Sequence, residues 1–131
     1  MKVIQTSGKR KRATARAVLR EGKGKIKVNS QSIDIISPKL LRQKLREPLI
    51  LAGNAINNVD IDVHVSGGGI SSQADASRLA IARALVSYDK KLQTTFLNYD
   101  RHLLVADIRR KEKAKPNRHG QARAKRQKSY R

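Results

Sequence analysis

Gly67-Gly68-Gly69, set directly before an alanine-rich apolar stretch, is the one segment whose spacing suits phosphate chemistry. A glycine turn at a helix start exposes backbone N–H groups and the positive end of the helix dipole, and together these hold an anion. Neither nucleotide fingerprint is met. The segment from Gly67 to Ser72 is not G-x-x-x-x-G-K-[ST], and the dinucleotide pattern needs a third glycine where Ile70 to Ser72 stand. The turn is therefore read as a tight strand-to-helix connection that needs unusual backbone angles. An RNA-backbone contact ranks second, and nucleotide binding in a small enzyme last. Elsewhere the chemistry is sparse. The chain lacks cysteine, which removes disulfides and thiolate metal ligands and makes a reducing compartment its expected home. His64, His102 and His119 show no ligand or triad spacing, and the ten acids are scattered singly. No metal, no cofactor and no catalysis are expected.

Charge carries the stronger signal. The chain has 131 residues and a formal net charge of +20. Residues 1–27 hold ten bases and one acid, residues 28–108 nine bases and eight acids, and residues 109–131 eleven bases and one acid. A near-neutral body is thus flanked by two cationic extensions, a distribution that calls for a polyanion. An anionic membrane would require an amphipathic face with large apolar residues, and neither extension has one. No apolar run approaches the ~18 residues of a membrane span, and the first residues lack a signal peptide's apolar core. Nucleic acid is the expected partner, with no membrane and no homo-oligomer.

The elements that must present this charge follow from periodicity. Residues 1–12 form a basic arm, expected to stay loose until bound. From Ala13 the pattern alternates, with Ala13, Ala15, Ala17 and Leu19 on one face and Thr14, Arg16, Val18 and Arg20 on the other. A glycine-containing turn, Glu21 to Gly24, then leads to Ile26 and Val28, alternating with Lys25 and Lys27. The two segments read as a β-hairpin whose wet face displays Arg16, Arg20, Lys25 and Lys27. Ile33 to Ile36 reads as a short strand. Ser37-Pro38 reads as a helix start, with Pro48 expected to end or break the helix after Glu47. Asp60 to Val65 reads as a strand with His64 on its polar face. The longest helix is predicted from about Ser72 to Ser87, with a capping box from Ser72 to Asp75. A last helix runs from about Lys90 to Asn98 with Leu92, Phe96 and Leu97 inward, and Leu103 to Val105 anchors the end of the body. The expected class is α+β: a globular core over residues 13–108 with one sheet covered by helices on one face.

Residues 109–131 hold too little apolar surface to offset an ordering cost of roughly 1–2 kcal/mol per residue, so this tail is expected to be ordered only by its partner. Extended, it spans on the order of 75 Å, far beyond a core whose radius of gyration is about 13 Å. The few aromatics, Tyr88, Phe96, Tyr99 and Tyr130, argue against base stacking on single strands, since Phe96 and Tyr88 are expected in the core. Zinc-finger and basic-zipper patterns are absent. What remains is backbone and shape recognition of folded RNA by Lys and Arg. The expected contacts are Lys9, Arg10, Lys11 and Arg12 in the arm and Arg16, Arg20, Lys25 and Lys27 on the hairpin. In the tail they are Arg109, Arg110, Lys111, Lys113, Lys115, Arg118, Arg123, Lys125 and Arg126. A phosphate-binding enzyme using Gly67 to Gly69 and a sequence-indifferent DNA-compacting protein are the rival classes.

Three stretches also resemble the universal small-subunit ribosomal protein S-nine family. They are Gly8 to Ala17 (GKRKRATARA), Gly67 to Leu85 (GGGISSQADASRLAIARAL) and Gln127 to Arg131 (QKSYR). The last resembles the archaeal and eukaryotic branch. The resemblance implies a fold like the second domain of ribosomal protein S-five, with a left-handed β-α-β crossover. It also implies a place in the head of the cytoplasmic small subunit, among neighbouring ribosomal proteins, with the extensions threaded into rRNA. Finally, it implies that the tail reaches P-site tRNA, where Lys128, Ser129, Tyr130 and Arg131 match the tRNA-contacting end. Arg126, Gln121 and the segment Lys115 to His119 depart from the family's usual pattern.

Overall fold

The structure, a computed structural model, describes residues 2–36, 38–117, 122, 123 and 129. Five strands, β1 (Ile4–Arg10), β2 (Ala13–Glu21), β3 (Ile26–Val28), β4 (Gln31–Ser32) and β5 (Val59–Ser66), form one sheet in the order β1-β2-β5-β3-β4. Neighbours are antiparallel except β3 and β5, which run parallel and are joined through α1 (Lys39–Ala52). Two further helices follow, α2 (Ile70–Tyr88) and α3 (Leu92–Tyr99). This is an α+β chain with a single mixed sheet.

Period-two alternation decides which face is dry. Ala13, Ala15, Ala17 and Leu19 of β2 and Val59, Ile61, Val63 and Val65 of β5 are buried, facing the helices. Alanines at 76, 80, 82 and 84 of α2, all buried, keep that helix thin enough to lie close to the sheet. Gly8 serves the same approach from the strand side: a Cβ there would stand 2.3 Å from the Ala76 carbonyl oxygen and 2.8 Å from the Ala80 nitrogen. Leu19, Ile61, Ile81, Leu85, Phe96 and Leu103 fill the centre of the core.

Several expectations are corrected. Residues 4–10 of the basic arm form a strand, so the folded body begins near Ile4 and not at Ala13. Apolar alternation gave no sign of it, because its inward residues after Ile4 are Thr6, Gly8 and Arg10. Thr6 instead donates to the Ala80 carbonyl at 2.8 Å, and Arg10 is held by ion pairs. The hairpin is therefore β1–β2, closed by Lys11 and Arg12. β2 and β3 are not paired, since β5 lies between them. Ile33–Ile35 is a 3-10 turn, not a strand.

Pro48 does not break α1, which continues to Ala52. Leu45, Pro48, Leu49 and Ala52 share a buried face, and that burial outweighs one missing backbone hydrogen bond. The expected cap Ser37 lies outside the described residues, and Pro38 occupies the N-cap without being helical. α2 starts at Ile70, two residues before the expected capping box, so Asp75 is released to pair with Lys44 and Arg10. Tyr88 and Leu97 are exposed where a core position was expected.

Candidate nucleic-acid interface

The sheet's outer face carries no helix among the described residues. Register places Ser7, Arg16 and His64 in one row across β1, β2 and β5, and Val18, Asp62 and Lys27 in the next across β2, β5 and β3. Arg16, Arg20, Lys25 and Lys27 are all exposed on this face, as the alternation predicts. Lys9 joins them opposite Thr14. A shallow hollow of about 580 Å³ crosses the three strands, with Arg16, Lys27, Asn29 and His64 on its walls.

Lys11 and Arg12 make the two-residue hairpin turn at one end of this face, and both are exposed. Lys11 has φ 53°, a conformation that favours glycine or asparagine. The triple glycine packs directly on this turn. Gly67 and Gly68 have φ 78° and 62°, and a Cβ on Gly67 would meet the Arg12 carbonyl oxygen at 2.6 Å. The tight-turn reading thus has a geometric cause: only glycine lets the two connections touch. Gly69 has open space around it and caps α2 without a side-chain hydrogen bond.

Most of the acids among the described residues lie off this face. Asp75 lies 3.4 Å from Lys44 and 3.9 Å from Arg10. Arg10 also pairs with Asp107, so this expected RNA contact lies on the helix side of the sheet, bound within the protein. Glu47 and Asp100 hold Arg78 at 2.5 and 3.3 Å, and Asp34 holds Arg46. Arg83 is not ion-paired among the described residues. It donates to the carbonyls of Leu104 at 3.1 Å and Ser7 at 2.9 Å, tying α2 to the end of the body and to β1. Among the described residues of the strands, Asp60 and Asp62 are the acids on the outer face. Asp60 is occupied by three backbone N–H groups, from Lys23, Gly24 and Lys25, at 2.9, 3.1 and 2.9 Å. Those bonds, from Lys25 first and Lys23 second, draw its carboxyl below the usual carboxylate value. Neither residue 23 nor residue 60 stood out in the sequence; the flanking Gly22 and Gly24 were the available signal.

The tail is rooted beside Arg10. Arg109 donates to both oxygens of Asp107, through its Nη2 at 2.7 Å and its Nε at 3.0 and 3.1 Å. Arg109, Arg110, Lys111, Lys113 and Lys115 are exposed and belong to no helix or strand. Glu112 pairs with Arg123 at 2.5 Å and with Lys115 at 3.7 Å. Ser129 is exposed. Arg118, Lys125, Arg126, Lys128, Tyr130 and Arg131 lie outside the described residues.

This arrangement offers a broad basic surface. Among the described residues no group of His, Cys, Asp and Glu could hold a metal, and no helix is long and apolar enough to cross a membrane. The family model described as ribosomal protein S9/S16 matches residues 8–131, which takes in the hairpin turn, the glycine turn and the whole tail. The chain belongs to this family. Its members are structural ribosomal proteins and not enzymes. Similar full-length relatives include the small ribosomal subunit protein uS9 of Methanococcus maripaludis strain C7, 52% identical over 134 residues with all of both chains covered. The protein of the same name from strain C5 is 51% identical over the same length. Family membership also sets aside the phosphate-binding enzyme as a reading of Gly67 to Gly69.

Proposed function

We propose that this chain is a structural constituent of the cytoplasmic small ribosomal subunit. Its outer sheet face, hairpin turn and tail neutralise rRNA phosphates, and its last residues touch P-site tRNA. One observation carries the reading. Arg16, Arg20, Lys25, Lys27, Lys11 and Arg12 converge on one open surface, where Asp60 is held by backbone N–H groups and Asp62 is the single unengaged carboxylate among the described residues. Lysine and arginine on such a surface gain most of their affinity from counterion release, so binding weakens steeply with salt. Arg10 supports this role from behind, by pinning the tail's root to β1. The fold is read as the S-five domain-two type, its β3-α1-β5 unit being the crossover.

From Arg109 onward the tail carries the remaining bases to rRNA, and Lys128 to Arg131 end it at the tRNA. A terminal guanidinium gives charge-assisted hydrogen bonds to phosphate, partly opposed by the adjacent carboxylate. The test has two parts. The full chain should sediment with small subunits in a sucrose gradient and be absent from bulk DNA. Subunits lacking Ser129, Tyr130 and Arg131 should assemble normally but release P-site tRNA faster, by about two- to fivefold. Unchanged release would remove the tRNA assignment and leave the rRNA role standing.

A further inference from the structure

The connection between β2 and β3, Gly22 to Lys25, projects two lysines beside the outer face. Its shape is set by one side chain from another strand. Asp60 Oδ1 accepts the N–H groups of Lys23, Gly24 and Lys25 in succession, at 2.9, 3.1 and 2.9 Å. Three consecutive amides converging on one point form an anion cradle, the same device that proteins use to bind phosphate. Here an internal carboxylate fills it. The surrounding residues are fitted to that occupant. A Cβ on Gly22 would stand 2.2 Å from the Asp60 carboxyl carbon, and Gly24 has φ 94°. The Gly22 and Gly24 amides add bonds to the Asn58 and Val59 carbonyls, each at 3.0 Å.

Asp62, two residues along the same strand, is exposed on the same face, and its carboxylate has no hydrogen bond or ion pair among the described residues. One strand therefore carries two carboxylates of equal charge, only one of which organises a basic loop. We propose that Asp60 is a positioning residue for RNA: it fixes Lys23 and Lys25 in their binding geometry before RNA arrives. This rests on the assignment of the outer face to rRNA. A loop ordered in advance loses less conformational freedom on binding, and the affinity rises accordingly.

The claim has a sign that simple electrostatics does not share. Removing an acid from a face that binds a polyanion should tighten binding wherever the acid only contributes charge. Full-length wild type, Asp60→Ala, Asp62→Ala and Asp60→Asn are titrated with purified small-subunit rRNA over a range of salt. Circular dichroism checks the fold of each. Asp62→Ala should bind about twofold tighter, as expected of one repulsive charge removed. Asp60→Ala should bind roughly fivefold weaker despite the same charge change, with a log–log salt slope smaller by about 1 to 2. Asp60→Asn, which keeps an acceptor oxygen, should recover to near the wild-type affinity. Gly22→Ala displaces the carboxylate with no charge change and should weaken binding as Asp60→Ala does, which keeps the test open if Asp60→Ala fails to fold. Tighter binding by Asp60→Ala, or unaltered binding by a folded Gly22→Ala, overturns the proposal. A wild-type affinity indifferent to salt would instead overturn the rRNA assignment of the face itself.

Discussion

Two sets of basic residues share this small body and do opposite work. Arg10, Arg78 and Arg83 lie on the helix side and are spent inside the protein. Arg78 bridges Glu47 of α1 and Asp100 at the end of α3, with its side chain only 14% exposed. Arg16, Arg20, Lys25 and Lys27 lie on the open side and have no ion pair within 4 Å among the described residues. The lesson is that the 30 basic side chains are not one population. Some are structural and already neutralised, and others are free of ion pairs among the described residues. Charge placement relative to the sheet, not charge count, separates them.

The sharpest way to break the comparison is to remove a base from each side. Arg78→Ala should destabilise the fold by roughly 2–3 kcal/mol, because it leaves two partly covered carboxylates and a buried stem's volume unmatched. Denaturant midpoints measure this, and the salt slope of RNA binding should stay unchanged in the folded fraction. A smaller and opposite effect is expected at the hairpin turn. Lys11→Gly should stabilise the protein by up to about 1 kcal/mol, since it relieves a left-handed lysine. The same variant should weaken RNA binding by one phosphate contact, a trade of stability for function visible in paired melting and titration experiments.

The smallest effect concerns the tail's root. Asp107's carboxyl sits far below the usual carboxylate range. The Arg109 guanidinium and its backbone N–H donate to it and the charge of Arg10 adds to their effect, while its partial burial works the other way. A carboxyl lowered on folding contributes stability that is whole above its unfolded value of about pH 4 and is lost as the pH falls through the lower folded value. Asp107→Asn should therefore flatten the loss of thermal stability between about pH 5 and pH 2 relative to wild type. An identical acid limb in both would place the titration elsewhere.

The sequence made the open side more legible than the closed one. Alternation in β2 and in residues 25–28 is clean because their inward positions are apolar, and it put Arg16, Arg20, Lys25 and Lys27 on the exposed face. β1 escaped notice because its inward positions are threonine, glycine and arginine, whose burial depends on a carbonyl, an absent Cβ and a carboxylate contributed from elsewhere in the chain. Pairing was misjudged for a related reason. A turn rich in glycine suggests a hairpin, but Gly22 and Gly24 serve Asp60 and the carbonyls of Asn58 and Val59 instead, leaving room for β5 to enter between β2 and β3. Pro48 and Asp75 show local rules yielding to packing. The three resembling stretches anticipated the family, because they include the two turns that must touch and the chain's end.

The central claim is that the open sheet face supplies phosphate contacts which the helix-side arginines do not. The most direct measurement is the salt dependence of rRNA affinity for wild type and for a variant with Arg16, Arg20, Lys25 and Lys27 all changed to alanine. The account predicts a folded variant of nearly wild-type stability whose log–log slope is smaller by about 3. A slope equal to that of wild type would contradict it.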